Sequence, residues 1–229
     1  MGAVFEQQNL SSEVTPEIPG FIVIEGPIGV GKTSLAKKLA STFNTELLLE
    51  GADQNPFLER FYQNPKSAAL QTQLFFLFQR VRQMEALRQG DIFRSVRVAD
   101  FLIEKDRLFA QITLDDDELR LYDQIYSQMV LDAPCPDLVI YLQAPVEVLM
   151  ARILKRGLSQ ERLIQPEYLK KVVESYARLF HYYSASPLLI VNAAEFDPVT
   201  NEQDYESLLE RICTISSGRH YFNPLPLKF

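Results

Sequence analysis

Gly26-Pro27-Ile28-Gly29-Val30-Gly31-Lys32-Thr33 follows an apolar run, Phe21-Ile22-Val23-Ile24, and precedes the helical pattern Ser34-Leu35-Ala36-Lys37-Lys38-Leu39-Ala40. A glycine, four residues and then Gly-Lys-Thr, set between a strand and a helix, is the phosphate-binding P-loop pattern. Its glycines let backbone N–H groups close around phosphate oxygens, and the helix N-terminus adds partial positive charge. The loop predicts a nucleoside triphosphate site formed by Gly26, Ile28, Gly29, Val30, Gly31, Lys32, Thr33 and Ser34. Lys32 would bridge the terminal phosphates and the Thr33 hydroxyl would ligate Mg²⁺. A chance glycine-rich turn would have no reason to carry the strand before it and the helix after it.

Further short apolar runs at 46–50, 96–100, 137–142 and 188–191 read as strands, and helical patterns separate them. Leu70, Leu74, Leu77, Val81 and Met84 put an apolar stripe on a long helix over 66–89, closed by Gly90. Asp115-Asp116-Asp117-Glu118 suits a helix start better than a metal site, since acids there favour the dipole and no calcium-loop glycine is present. Five strands alternating with helices predict an α/β fold, a parallel sheet flanked by helices on both faces with ligands at its carboxyl edge. Residues 1–19 are expected as a disordered leader, 20–217 as the P-loop domain, and 218–229, with Pro224 and Pro226, as a loose tail.

The chain has 229 residues, 47% of them hydrophobic, enough for one α/β core. A net charge of -7 argues against a nucleic-acid surface. No apolar run reaches membrane-spanning length. With only Cys135 and Cys213 and no signal peptide, the sequence reads as cytoplasmic and not membrane-bound.

After the P-loop come Glu50 at the end of the second strand, Tyr62, Gln73 and Arg80 seven apart on the long helix, and Asp100 ending the third strand. Lys105-Asp106-Arg107 and Arg152-Ile153-Leu154-Lys155-Arg156-Gly157 with Glu161 complete the series. This succession resembles the deoxyribonucleoside kinases over about residues 21–215. The resemblance implies a P-loop kinase fold with a short arginine-bearing lid, transferring a phosphoryl group from ATP to the 5′-hydroxyl of a deoxynucleoside. Glu50 takes the place of the general base. Tyr62 and Glu161 match the holders of the sugar 3′-hydroxyl, and Gln73 and Arg80 match the readers of the base. Arg152 and Arg156 match the lid arginines, and Asp100 is expected near Mg²⁺. Asp106 can pair with Arg80, and Phe109 can stack on the base. The family resemblance also suggests a homodimer through helices such as 66–89.

The residue chemistry agrees. An amide with donor and acceptor suits a nucleobase edge, a guanidinium adds a fixed fork, and two arginines one turn apart can clamp a phosphoryl group. Each also has a plainer reading: solvated polar positions for Gln73 and Arg80, a surface stripe for Arg152 and Arg156, a helix cap for Asp106, a core aromatic for Tyr62. Two departures from the family pattern stand out. Asp100-Phe101-Leu102 lacks the usual arginine after the third strand, a role Lys105 could take, and Gly51 stands where a proline is usual. Both features mark a bacterial branch. The Arg80 and Asp106 pair resembles members that accept purine deoxynucleosides or deoxycytidine over thymidine. The alternatives are a nucleoside-monophosphate kinase of the thymidylate type, or a catalytically silent structural subunit.

Overall fold

The five apolar runs all form strands in the computed structural model, which describes residues 18–89, 96–130 and 133–223. They are β1 (Phe21–Glu25), β2 (Glu46–Leu48), β3 (Arg97–Ala99), β4 (Leu138–Gln143) and β5 (Leu188–Asn192), joined by an unforeseen β6 (Arg219–Phe222). Every pairing is parallel, in the order β2-β3-β1-β4-β5-β6. The sheet therefore has six strands, not five, and 219–222 are not part of a loose tail. β6 escaped notice because it is an edge strand whose Arg219 and Tyr221 are exposed, so it carries no continuous apolar run. It is held by its ladder to β5 and by Phe222 against Phe196. The rest of the expected tail, 224–229, and the expected leader up to residue 17 lie outside the described residues.

Eight helices connect the described strands: α1 (Lys32–Thr42), α2 (Leu58–Gln63), α3 (Pro65–Gln89), α4 (Lys105–Thr113), α5 (Asp116–Met129), α6 (Val146–Arg156), α7 (Pro166–Tyr182) and α8 (Glu202–Ile212). They cover both faces of the sheet, which is why β1, β4 and β5 are apolar almost throughout. Alternation along β1 divides the core. Ile22 and Ile24 pack with Leu35 and Leu39 of α1, Leu149 of α6 and Leu208 of α8. Phe21 and Val23 face Met84 of α3, Leu108 of α4, and Tyr176 and Phe180 of α7. The acidic run at 115–118 is a helix start: the Asp115 side chain accepts from the N–H groups of Asp117 and Glu118, and the Glu118 carboxylate accepts from the Asp115 N–H. Gly157, at φ 73°, ends α6 in the left-handed conformation that favours glycine.

From β1 the chain crosses to β2, returns to β3 beside β1, and then passes to β4 on the other side. This reversal of strand order opens a crevice at the carboxyl ends of β1, β2 and β3. Ile140, fully buried in β4, anchors the layer beneath it. Ile140→Ala is expected to lose about 2–5 kcal/mol of unfolding free energy in urea denaturation. A loss below about 1 kcal/mol would contradict this packing.

Candidate active site

The P-loop is glycine-rich for steric reasons that the structure makes explicit. Gly26 has φ 146°, and a Cβ there would sit 2.5 Å from the carbonyl oxygen of Leu142. Gly29, at φ 85°, would push a Cβ to 2.8 Å from Ile153. Lys32, the first residue of α1, folds over the loop and donates to the carbonyls of Gly26 at 2.8 Å and Pro27 at 3.2 Å. Burial lowers its pKa, and the nearby Lys105 ammonium lowers it further.

A cavity of about 570 Å³ begins at the loop and runs toward α3, of a size that suits a nucleoside-sized ligand. Its lining brings together Ile28, Gly29, Lys32, Thr33, Glu50, Tyr62, Gln73, Arg80, Asp100, Lys105, Phe109, Arg156 and Glu161. Residues scattered over more than 130 positions of sequence thus share one space. Val30, Gly31 and Ser34 lie on the other side of the loop, in a smaller recess of about 160 Å³ beside Asp197 and Thr200.

Asp100 joins the two halves of the site. Its Oδ2 accepts from the Thr33 hydroxyl at 2.5 Å and its Oδ1 from the Glu50 N–H at 2.7 Å. Glu50 is thereby fixed beside the P-loop with both carboxylate oxygens engaged, Oε1 by Arg80 and Oε2 by Lys105 Nζ at 2.9 Å. Burial by itself would raise the Glu50 pKa, but Lys105, Arg80 and Lys32 outweigh it and hold the carboxyl well below the usual carboxylate range.

Gln73 and Arg80 are 3% and 2% exposed, so the solvated reading of this pair does not hold. Arg80 bridges Glu50 to the fully buried Asp106 and lies over the Phe76 ring, 5.1 Å from its centroid. Asp106 is thus an ion-pair partner in the first turn of α4, not a cap. Phe109 meets Tyr176 edge to face. On the opposite wall, Glu161 Oε1 accepts from Arg156 at 2.6 Å while its buried Oε2 has no partner. Burial pushes the Tyr62 hydroxyl well above its usual pKa, keeping it a neutral donor. The unpartnered Glu161 oxygen and this hydroxyl are groups a sugar hydroxyl could satisfy.

One sequence expectation changes. Arg152 does not join Arg156: its guanidinium donates to the carbonyl of Ala193 at 2.7 Å and lies near that of Val30, so it bounds the smaller recess. The pair splits because α6 ends at Arg156, whose side chain turns to Glu161 in the next segment, while Arg152 remains against the P-loop and the segment just after β5. Lys105, the first residue of α4, reaches Glu50 from that position. Gly51 adopts φ 64°, which a proline fixed near −65° cannot take, so its departure from the family pattern has a backbone reason. One residue was missed. Glu25, fully buried at the end of β1, accepts from Gly26, Leu102 and Tyr176 and faces Lys105. Its signal was a charge closing an otherwise apolar buried strand at the sheet's carboxyl edge.

A P-loop lysine, a carboxylate across from it and a polar pocket beyond define a P-loop kinase that acts on a small acceptor. The comparisons identify its family. Residues 22–216 match the family model described as deoxynucleoside kinase. A deoxyguanosine kinase of Bacillus subtilis is 35% identical over 197 residues, covering 84% of this chain and 95% of the relative. A deoxyadenosine kinase of Lactobacillus acidophilus is 32% identical over 209 residues, covering 83% and 94%. A solved structure of deoxyadenosine kinase from M. mycoides with bound dATP shares the fold, with a TM-score of 0.74 at 24% identity over 84% of this chain and 98% of that one. The chain belongs to the deoxynucleoside kinase family.

The depressed Glu50 pKa has a measurable consequence. A carboxylate whose folded value lies below its ordinary 4.5 adds stability above that value and gives it up as the pH falls toward the folded one. The stability difference between the wild type and Glu50→Gln is therefore expected to shift against the wild type as the pH is lowered from 7 to 3. Urea denaturation across that range reads it, and a constant difference would remove Glu50 from the ion cluster.

Proposed function

We propose that this kinase transfers the γ-phosphoryl of ATP to the 5′-hydroxyl of a purine deoxynucleoside, with deoxycytidine also accepted and thymidine disfavoured. The observation that carries the reading is the position of Glu50, between the P-loop residues Lys32 and Thr33 and the buried Gln73, Arg80 and Asp106. An acceptor whose base lies against Gln73 and Arg80 would direct its hydroxyl toward Glu50. The amide of Gln73 offers both donor and acceptor to a purine edge, and the relatives named for deoxyguanosine and deoxyadenosine support that preference. Tyr62 and Glu161 would hold the sugar, and Phe109 would pack on the base.

In the transfer, the bond from the 5′-oxygen to the γ-phosphorus forms as the bond to the β-bridging oxygen breaks, and Glu50 takes the hydroxyl proton. Its low pKa makes it a weak base, so the proton moves as the new bond forms. Lys32, Lys105 and Arg156 can offset charge on the phosphoryl oxygens. Mg²⁺, when bound with the nucleotide, supplies further neutralising charge. Thr33 and Asp100 fit it: a hydroxyl and a carboxylate already 2.5 Å apart, in a region where the carboxylates of Glu25, Glu50, Asp100 and Asp106 gather beside Lys32, Arg80 and Lys105. A phosphorylated acceptor finds Glu50 and Asp53 around the loop at 50–53, which disfavours the monophosphate-kinase alternative. A homodimer through α3, which the family resemblance suggests, would have Phe78, a large apolar side chain left exposed on that helix, to cover. The free cysteines Cys135 and Cys213 support a cytoplasmic setting, and no described helix is long and apolar enough to cross a membrane.

Incubation with Mg-ATP and each deoxynucleoside or monophosphate is expected to yield monophosphates of deoxyguanosine and deoxyadenosine fastest. Turnover of monophosphates alone, or of nothing while ATP binds, would overturn the reading. Glu50→Gln is expected to lower kcat by about 10²- to 10⁴-fold with ATP affinity retained in calorimetry. In Lys32→Ala both ATP affinity and kcat are expected to fall, and wild-type ATP affinity in that variant would exclude the loop as the phosphate site.

A further inference from the structure

Lys105 occupies the first turn of α4, where a cation meets the positive end of the helix dipole. It is only 1% exposed. A buried cation is tolerated when it is paired, and two carboxylates pair this one: Glu50 Oε2 at 2.9 Å and Glu25 Oε1 at 3.3 Å. Glu50 is shared with Arg80 and stands where the acceptor hydroxyl would bind. Glu25 is differently placed. It lies behind the cavity wall, fully buried, and cannot meet a ligand directly.

The Glu25 carboxylate is also held from three sides. Oε1 accepts the Leu102 N–H at 2.7 Å, while Oε2 accepts the Gly26 N–H at 2.9 Å and the Tyr176 hydroxyl at 2.8 Å. The entrance of the P-loop, the segment after β3 and helix α7 thus fix one negative charge directly behind the Lys105 ammonium.

We infer that Glu25 is a positioning residue for Lys105, and that through it Lys105 supplies the cation at the reacting end of the acceptor, where the segment after β3 carries no arginine. The inference rests on the kinase reading above. With Glu25 behind it, the ammonium can leave Glu50 Oε2 for a phosphoryl oxygen and keep a counter-charge, and the freed Glu50 oxygen can take the hydroxyl proton. Without Glu25, Lys105 has Glu50 alone, and each departure from it leaves a buried charge unpaired.

Steady-state kinetics of Glu25→Gln, Lys105→Ala, the double variant and Tyr176→Phe test the assignment. Glu25→Gln and Lys105→Ala are each expected to lower kcat by about 10- to 100-fold, with the KM for ATP within about threefold of wild type. The double variant is expected to be no slower than Lys105→Ala, because Glu25 acts only through Lys105. Multiplying losses, or wild-type kcat in either single variant, would overturn the inference while leaving the kinase reading intact. Should Glu25→Gln not fold, Tyr176→Phe decides, since it removes one hydroxyl and no charge. It is expected to lower kcat in the wild-type background but not in Lys105→Ala, and equal losses in both would overturn the inference. Failure of the wild type to phosphorylate any nucleoside would instead remove the kinase reading, and this inference with it.

Discussion

Buried charge has to be paired, and that constraint organises the carboxyl edge of this sheet. Lys32, Arg80 and Lys105 are set among Glu25, Glu50, Asp100 and Asp106, with little exposure for most of them. Removing one partner would leave another uncompensated in a low-dielectric interior, where the cost is several times that of an exposed pair. The cluster therefore fixes the relative placement of the P-loop, the loop after β2, α3 and the start of α4. Asp100 is its narrowest point, since one carboxylate holds both the Thr33 hydroxyl and the Glu50 backbone.

This arrangement has a chemical consequence. Two cations on Glu50 make it a weak base in the free protein, which suits phosphoryl transfer better than it suits abstraction of a free proton. In a loose transition state the acceptor hydroxyl becomes acidic only as its bond to phosphorus forms. In the transfer proposed above, a carboxylate that stays ionised is ready at that moment, and the cations around it can move to the phosphoryl oxygens.

Membership of the deoxynucleoside kinase family also gives the departures from its pattern a structural meaning. Gly51 is required by a left-handed backbone at the end of the loop that carries Glu50. Lys105 brings positive charge to the site from the start of α4 and reaches it with a side chain that is almost wholly buried. The two arginines of α6, one turn apart in sequence, serve different spaces: Arg156 faces the large cavity, and Arg152 braces the loop and the segment after β5 from the other side.

Local pattern by itself determined much of this protein. The P-loop, the continuous apolar strands, the helical stripe of α3 and the acidic start of α5 are all written in residues close to one another, where periodicity and backbone preference act directly. The resemblance to the family pattern also singled out residues from Lys32 to Glu161 that line one cavity, because each is carried by a short segment at the carboxyl edge of the sheet. Tertiary structure alone decided what depends on contacts between distant segments. The edge strand β6 exists only because β5 offers it a ladder, and its half-exposed residues carry no apolar run. Arg152 stands apart from Arg156 because its guanidinium is held by the carbonyls of Ala193, just after β5, and of Val30 in the P-loop. Glu25 looked like the end of a strand until Leu102, Tyr176 and Lys105, 77, 151 and 80 positions away, closed around it, and pairing of that kind leaves no trace in local sequence.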